Sequence, residues 1–392
     1  MSSPPRREIL EQMLRASLEA VDPEPLTREA LEGRRGPVTL VGIGKGAAAM
    51  CRGAALAIGE VKGICIADHR SPVPEGVELI LGDHPIPGNR SFHAGRRALE
   101  TVSRSPHRVL ALISGGGSAL CEQPTDGLSP HRLVEVARTL LNAGASIDDI
   151  NLVRRHLSAI KGGGLARAAK APLETYAISD VCGSDPAVIA SGPTVASPRD
   201  PEAAVAVLVD HGVRLSEEER GVIWGEPEQP DVESSIVVLA DGRTAAEAAA
   251  SAARAAGERA EVMPGWLRGD VSSELDRFLS SARPGVVTIA SGEPEVAVTG
   301  DGIGGRNTHA ALLAAERISG MDSMFVAFAT DGVDGRSAAA GAIVDGETIA
   351  RGGEPGPAIT ASDSATYLEA TGDLIATGPT GTNVSDLWIF WP

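Results

Sequence analysis

The stretch VTLVGIGKGAAAM, residues 38–50, decides how the chain is read. It passes from β-branched and apolar residues through Gly42, Gly44 and the Lys45–Gly46 pair into alanines, the pattern of a buried strand, a glycine turn and a helix. Gly42, Gly44 and Ala47 spell GxGxxA, the turn of a dinucleotide-binding βαβ unit, yet a lysine stands inside it. Outward from this turn, apolar runs at 63–67, 77–81, 109–113 and 175–179 alternate with helical patterns at 47–58, 91–101, 131–143 and 150–160. That alternation predicts an α/β domain with a mostly parallel sheet. An amphipathic helix over 7–21 precedes it. The acidic, proline-containing segment GVIWGEPEQPDVES, 221–234, reads as a linker. Beyond it, strands at 236–240, 286–290, 295–299, 323–329 and 387–390 alternate with helices at 244–256 and 308–318, which predicts a second α/β domain. The expected domains are therefore 1–230 and 231–392.

Bulk properties narrow the function. A chain of 392 residues is long for a single core, which agrees with two domains. No apolar run has membrane length and the start MSSPPRREILEQ lacks a signal-peptide core, so a cytoplasmic chain is expected. The formal net charge of -17 argues against nucleic acid and anionic membranes as partners, because both need a basic surface. Cys51, Cys65, Cys121 and Cys182 lie far apart without a CxxC pair, against a zinc site or a disulfide framework. The same negative charge repels phosphates and carboxylates, so any anionic ligand must be held by local cations and backbone N–H groups. The lysines are Lys45, Lys62, Lys161 and Lys170, and of these Lys45 and Lys161 adjoin glycine clusters. Monomer and homodimer both remain open.

Parallel sheets bind ligands beyond the carboxyl ends of their strands, so glycine turns after strands are the places to look. ALISGGGSAL sets Ser114, Gly115, Gly116, Gly117 and Ser118 after an apolar run. INLVRRHLSAIKGGGLA carries Arg154, Arg155, His156 and Lys161 against Gly162, Gly163 and Gly164. GDGIGGRN places Gly304, Gly305, Arg306 and Asn307 where a helix begins, and TGPTGTNVSDL adds Thr382, Asn383 and Asp386. Each alone is an ordinary tight turn as often as a site; together, with cations attached, they favour an enzyme for phosphate-bearing ligands. Asp180 and Asp185 in ISDVCGSDP, and Asp331 and Asp334 in FATDGVDG, follow strands, where carboxylates hold Mg²⁺ or accept a proton from an alcohol. The bland reading is that aspartate before glycine is a favoured turn residue. His84 in GDHPIPG reads as a capping or packing residue.

GxGxxA and Asp68 at the end of the next strand suit a nicotinamide-dependent reductase, whereas Lys45 suits neutralising a transferred phosphoryl group. A Walker A motif is absent, which excludes a P-loop kinase.

The segments GIGKGAAAM, GDHPIPG, ISGGGSAL, INLVRRHLSAIKGGGLA, SDVCGSDPAVIASGPT, GDGIGGRN, ATDGVDG and TGPTGTNVSDL together resemble the class II glycerate kinases, whose C-terminal half is called the MOFRL domain. The resemblance implies ATP-dependent phosphorylation of D-glycerate with Mg²⁺, commonly to 2-phosphoglycerate. It further implies a Rossmann-like N-terminal domain, a smaller α/β C-terminal domain and an active site between them. It assigns Lys45, Arg306 and Asp180 to catalysis, and Asp180, Asp185 and Asp331 to the metal. Ser114, Gly115, Gly116, Gly117, Ser118, Lys161, Gly162, Gly163, Gly304, Gly305, Asn307, Thr382 and Asn383 are assigned to ligand binding. The chain departs from the family where Ser184 replaces an aspartate, where Arg336 and Ala338 replace proline and aspartate, and where Thr308 and His309 follow GRN. An NAD(P)-dependent hydroxypyruvate reductase and a non-catalytic nucleotide- or sugar-phosphate-binding protein are the alternatives.

Overall fold

Six strands, β1 (Val38–Ile43), β2 (Lys62–Ala67), β3 (Val77–Leu81), β4 (Arg108–Ile113), β5 (Leu173–Ile178) and β6 (Ser234–Ala240), make one sheet in the order β3-β2-β1-β4-β5-β6. The structure, a computed structural model, describes residues 5–225 and 233–392, so half of the expected linker at 221–234 lies outside the described residues. β1 pairs in parallel with β2 and β4, β2 with β3, and β4 with β5. Strands covered by helices on both faces read as continuous apolar runs, and Leu40, Val41, Leu110, Ala111 and Leu112 are indeed fully buried. The strand order reverses between β1 and β4, the switch point outside which open α/β sheets bind ligands. Helix Ala47–Ile58 follows β1 directly, and the short helix Gly117–Leu120 follows β4.

The second sheet holds β7 (Ala260–Val262), β8 (Leu267–Asp270), β9 (Val287–Glu295), β10 (Met324–Ala329), β11 (Gly341–Asp345), β12 (Leu374–Ile375) and β13 (Asp386–Trp391). Its order is β12-β11-β10-β13-β9-β7, with β8 also on β9. β13 runs antiparallel to both β10 and β9, while β7 and β8 run parallel to β9, so the sheet is mixed. On one of its faces Phe325 and Trp388 meet each other and Phe278 of helix Val271–Ser281 in edge-to-face contacts 5.7 to 6.1 Å between ring centres. β9 ends at Glu295, so the strand expected at 295–299 is absent. The Thr299 N–H instead donates to Ser362 Oγ at 3.0 Å.

Two compact units result, and their membership corrects the expected division at 230. One holds Pro23–Ser179 with Ser184–Leu239; the other holds the described residues up to Asp22, the short segment Asp180–Gly183 and Ala240–Pro392. Helix Arg6–Ala20 belongs with the second sheet because Ile9, Leu10, Met13 and Leu14 share one buried core with Ala246, Ala249, Ala250 and Ala253 of helix Gly242–Ala255. Ser17 Oγ donates to the Ala245 carbonyl at 3.0 Å across the same contact. β6, read as the first strand of the second domain, instead lies beside β5 in the first sheet. Local alternation reveals a strand but not its pairing partner, which is set by contacts distant in sequence. No helix among the described residues is long and apolar enough to cross a membrane.

Candidate active site

The turns after β1 and β4 meet at the switch point of the first sheet. Lys45 N–H donates to the Gly115 carbonyl at 2.9 Å, Ser114 N–H to Ile43 at 2.9 Å, and Gly46 N–H to Ser114 Oγ at 2.9 Å. Gly44 has φ +130, and a Cβ there would collide with the Ser114 side chain and backbone. Gly42 is hemmed in by Cys51 Sγ, 2.8 Å from where a Cβ would stand. Both glycines of the GxGxxA pattern are thus required by the chain's own packing, and neither needs a dinucleotide to explain it. Gly116 is left-handed at φ +80, and Lys45 Cγ and His84 Cδ2 lie 3.3 and 3.6 Å from its would-be Cβ. The half-buried Lys45 therefore extends over the SGGGS turn with His84 beside it. Among the described residues, the N–H groups of Gly115 and Gly116 meet no acceptor, and such turn N–H groups under a cation form a cradle for an oxyanion.

Lys161 does something different. It is fully buried, and its Nζ donates to the Glu122 carboxylate and, at 2.9 Å, to the Ser118 carbonyl. Arg154 Nη2 reaches the same carbonyl at 3.0 Å, and Ser158 Oγ donates to Glu122 Oε1 at 2.5 Å. Burial pushes the Lys161 ammonium down to about 8, against the pull of Glu122. Burial likewise pushes the neighbouring Cys121 thiol up to about 12, which keeps it protonated and inert. Lys161 thus holds the end of the SGGGS turn instead of facing a ligand. Gly162 and Gly163 do not cradle a phosphate either: their N–H groups donate to Ser191 and Gly192 carbonyls at 3.0 and 2.7 Å, joining IKGGGLA to the IASGPT loop.

In the second unit, helix Arg306–Arg317 begins at Gly305, but its exposed N–H groups are already taken by a carboxylate of the chain. Asn307 and Thr308 N–H donate to Asp334 at 2.9 and 2.7 Å, and Thr308 Oγ1 at 2.8 Å. Gly304 and Gly305 are required by close approach: a Cβ on Gly305 would stand 2.5 Å from Asp334 Cγ. An anion at this helix start is thus supplied by Asp334, and Gly304, Gly305 and Asn307 serve that cap. Arg306 projects from the first turn, with Nε donating to Asp386 Oδ2 at 2.5 Å, Nη2 to Oδ1 at 3.2 Å and Nη1 to Glu293 at 2.8 Å. Burial opposes its charge, but Asp386 and Glu293 outweigh that and hold its pKa above the ordinary value. Burial raises Asp386 to about 6, against the pull of Arg306.

Asp180 lies in the same unit, where its carboxylate accepts from Asn383 Nδ2 at 3.2 Å and its peptide carbonyl accepts from Ser385 Oγ at 2.6 Å. These contacts unite ISDVCGSDP with TGPTGTNVSDL, two motifs far apart in sequence. Thr382 is buried and donates to the Val21 carbonyl at 2.9 Å, so it anchors the N-terminal helix instead of contacting a ligand. Asp185 is exposed and spends Oδ1 on the Ala187 N–H, and Asp331 accepts from Val333 N–H, both turn contacts. No three His, Cys, Asp or Glu side chains gather around one point among the described residues. Glu122 and Glu293 were not anticipated; a lone glutamate outside every motif carries no local signal, and only the fold brings it to its cation.

Residues 9–224 match a family described as a domain of unknown function, DUF4147, and residues 286–386 match the MOFRL family. A D-glycerate 2-kinase of Thermotoga maritima is 35% identical, covering 96% of this chain and 96% of that protein. An Agrobacterium vitis protein named as a hydroxypyruvate reductase is 38% identical, covering 97% of this chain and 93% of the other. A crystal structure of glycerate kinase from Thermotoga maritima superposes with a TM-score of 0.88 at 34% identity, over 99% of each chain. Carrying both halves of that architecture along its length, the chain belongs to the MOFRL family of glycerate kinases and is a phosphotransferase.

Proposed function

We propose that the protein transfers the γ-phosphoryl group of ATP to the 2-hydroxyl of D-glycerate, giving 2-phosphoglycerate and ADP. The observation that carries this reading is the switch-point cradle, where Lys45 lies across Gly116 and the Gly115 and Gly116 N–H groups have no acceptor among the described residues. Phosphoryl transfer demands little covalent chemistry of the protein; positioning and charge stabilisation on the transferred group supply the rate. In this proposal Ser114, Gly115, Gly116, Gly117 and Ser118 bind nucleotide phosphate, and Lys45 neutralises the charge that develops on it. Asp180, oriented by Asn383, accepts the proton as the glycerate oxygen attacks phosphorus and the bond to ADP breaks. Arg306, held flat by Asp386, directs its remaining N–H groups to the anionic reactants. Mg²⁺, which takes one or two carboxylates beside substrate phosphates and water, would be held by Asp180 or Asp331 and would supply further charge neutralisation.

Incubation with D-glycerate, ATP and Mg²⁺ is expected to release ADP, and enolase added without a mutase is expected to consume the product, since enolase accepts the 2-phosphate. ADP release without an enolase signal would relocate the phosphate. Loss of NADH with hydroxypyruvate, and no ADP, would replace the kinase reading by the reductase one that the Agrobacterium relative's name raises.

A further inference from the structure

A helix of one turn does not hold itself together, because nucleation fixes several residues for a single hydrogen bond. Helix Gly117–Leu120, which carries the end of the SGGGS turn, is that short, so its shape depends on what grips it from outside. Ala119 and Cys121 N–H donate to the Gly116 and Gly117 carbonyls, both at 3.1 Å, but the next N–H, that of Glu122, turns away to the Ser91 carbonyl at 3.2 Å. The Ser118 carbonyl is thereby left without a backbone donor among the described residues. Two cations take it instead, Lys161 Nζ at 2.9 Å and Arg154 Nη2 at 3.0 Å. Positive charge at the carbonyl end of a helix stabilises it.

The two cations are not equivalent. Lys161 and Glu122 are both fully buried and neutralise each other, so that pair belongs to the core. Arg154 stands 3.8 Å from the same carboxylate and keeps 18% of its side chain exposed. Burial lowers its pKa, with Glu122 pulling the other way, so the charge stands where its surroundings disfavour it. Removing it leaves no orphan acceptor, because Lys161 still serves the carbonyl. Arg154 comes from helix Ile147–Leu157, N-capped by Ser146 and fixed by Ile150, Val153 and Leu157 in a core with Leu133 and Leu208. Asn151, three residues earlier and so on the same face, reaches Ser118 by a second route. Ser191 Oγ donates to Asn151 Oδ1 at 3.2 Å, which leaves Ser118 Oγ to donate to Ser191 Oγ at 2.8 Å. One face of one helix thus engages both the carbonyl and the hydroxyl of Ser118.

We propose that Arg154, with Asn151 acting through Ser191, is a positioning residue for phosphoryl transfer, holding Ser118 and with it the Gly115 and Gly116 N–H groups in the arrangement that receives nucleotide phosphate. The assignment rests on the reading of that turn as the phosphate site and adds to it a residue that touches neither reactant.

The test sets Arg154→Gln and Asn151→Ala beside wild type and Lys45→Ala, in steady-state kinetics and urea denaturation. Arg154→Gln is expected to lower kcat/KM for ATP roughly ten- to a hundredfold, the scale of a misplaced reactive group. KM for ATP should rise while KM for D-glycerate and the denaturation midpoint stay close to those of wild type. A merely structural role predicts the reverse, a lowered midpoint with both KM values unchanged, and that result overturns the assignment. Wild-type kcat and KM in Arg154→Gln overturn it too. If Arg154→Gln does not fold, Asn151→Ala decides: a raised KM for ATP upholds the positioning face and an unchanged one overturns it. Lys45→Ala separates this inference from the reading beneath it. If Lys45→Ala is impaired and Arg154→Gln is not, the positioning role alone fails; if Lys45→Ala keeps full turnover, or wild type turns over no ATP, both fail.

Discussion

Replacing Lys45 by alanine removes the ammonium whose stem crosses Gly116, and turnover should fall far more than stability. Loss of one charge-stabilising donor costs on the order of 10²–10³ in kcat, whereas a half-buried lysine outside the core contributes under about 1 kcal/mol to folding. Steady-state kinetics beside a thermal melt check this: full turnover, or a mutant that unfolds, removes Lys45 from its role. Lys161 stands beside glycines just as Lys45 does, and nothing local distinguishes the two. The distinction is made by Glu122, which lies 39 residues before Lys161 and turns it into half of a buried ion pair. Removing one partner of such a pair leaves an uncompensated charge, so loss of activity at Lys161 would report folding. Arg306 was legible as the cation of GDGIGGRN, and Asp386 as part of a polar turn, but their bidentate pairing needed the antiparallel placement of β13 beside β9.

At the scale of elements, helix Arg6–Ala20 is the sharpest test of the fold. Its apolar stripe was readable from Ile9, Leu10, Met13 and Leu14, but the surface that receives it was not, because alanines of Gly242–Ala255 give no signal beyond helix propensity. Leu10 is fully buried there, so Leu10→Ala should cost about 2–5 kcal/mol. The loss should appear in the denaturation midpoint followed by tryptophan fluorescence, since Trp391 shares that core. An unchanged midpoint would mean that the helix does not pack on the second unit. Elements whose signal is local were read closely, as with β3 at 77–81 and helix Ala47–Ile58. β6 and the segment 295–299 depart from the local pattern because pairing, not propensity, decides them. The GxGxxA glycines show the same limit in reverse: the strand, turn and helix are those of a dinucleotide site, while Cys51 and Ser114 are what demand the glycines.

For the whole molecule, acidity couples stability to pH through groups that the fold keeps uncharged. His156 is buried, and its Nδ1 donates to the Leu152 carbonyl at 2.9 Å while Nε2 has no partner among the described residues, which fits a neutral ring. Burial lowers its pKa, with Arg199 and Arg155 acting in the same direction against the Leu152 hydrogen bond and Asp200. His309 is lowered by burial too, although Asp270 and Asp334 pull it up. A base with a depressed folded pKa binds fewer protons in the folded state than in the unfolded chain. Its contribution is therefore complete above the unfolded value, 6.5 for histidine, and is lost as pH falls below that value. Asp386, raised to about 6, has the opposite sign: between about 6 and 3.8 the folded state binds the extra proton and gains stability as pH falls. Between pH 7 and 6 the two signs overlap, so the histidine part is read as the difference between the parent protein and its histidine variants in urea midpoint, with a proton linkage of no more than one per imidazole. His156→Gln and His309→Gln should each lose less stability than the parent as pH falls from 7 to 6, and variants whose midpoints track the parent across that window would show that neither ring is held neutral.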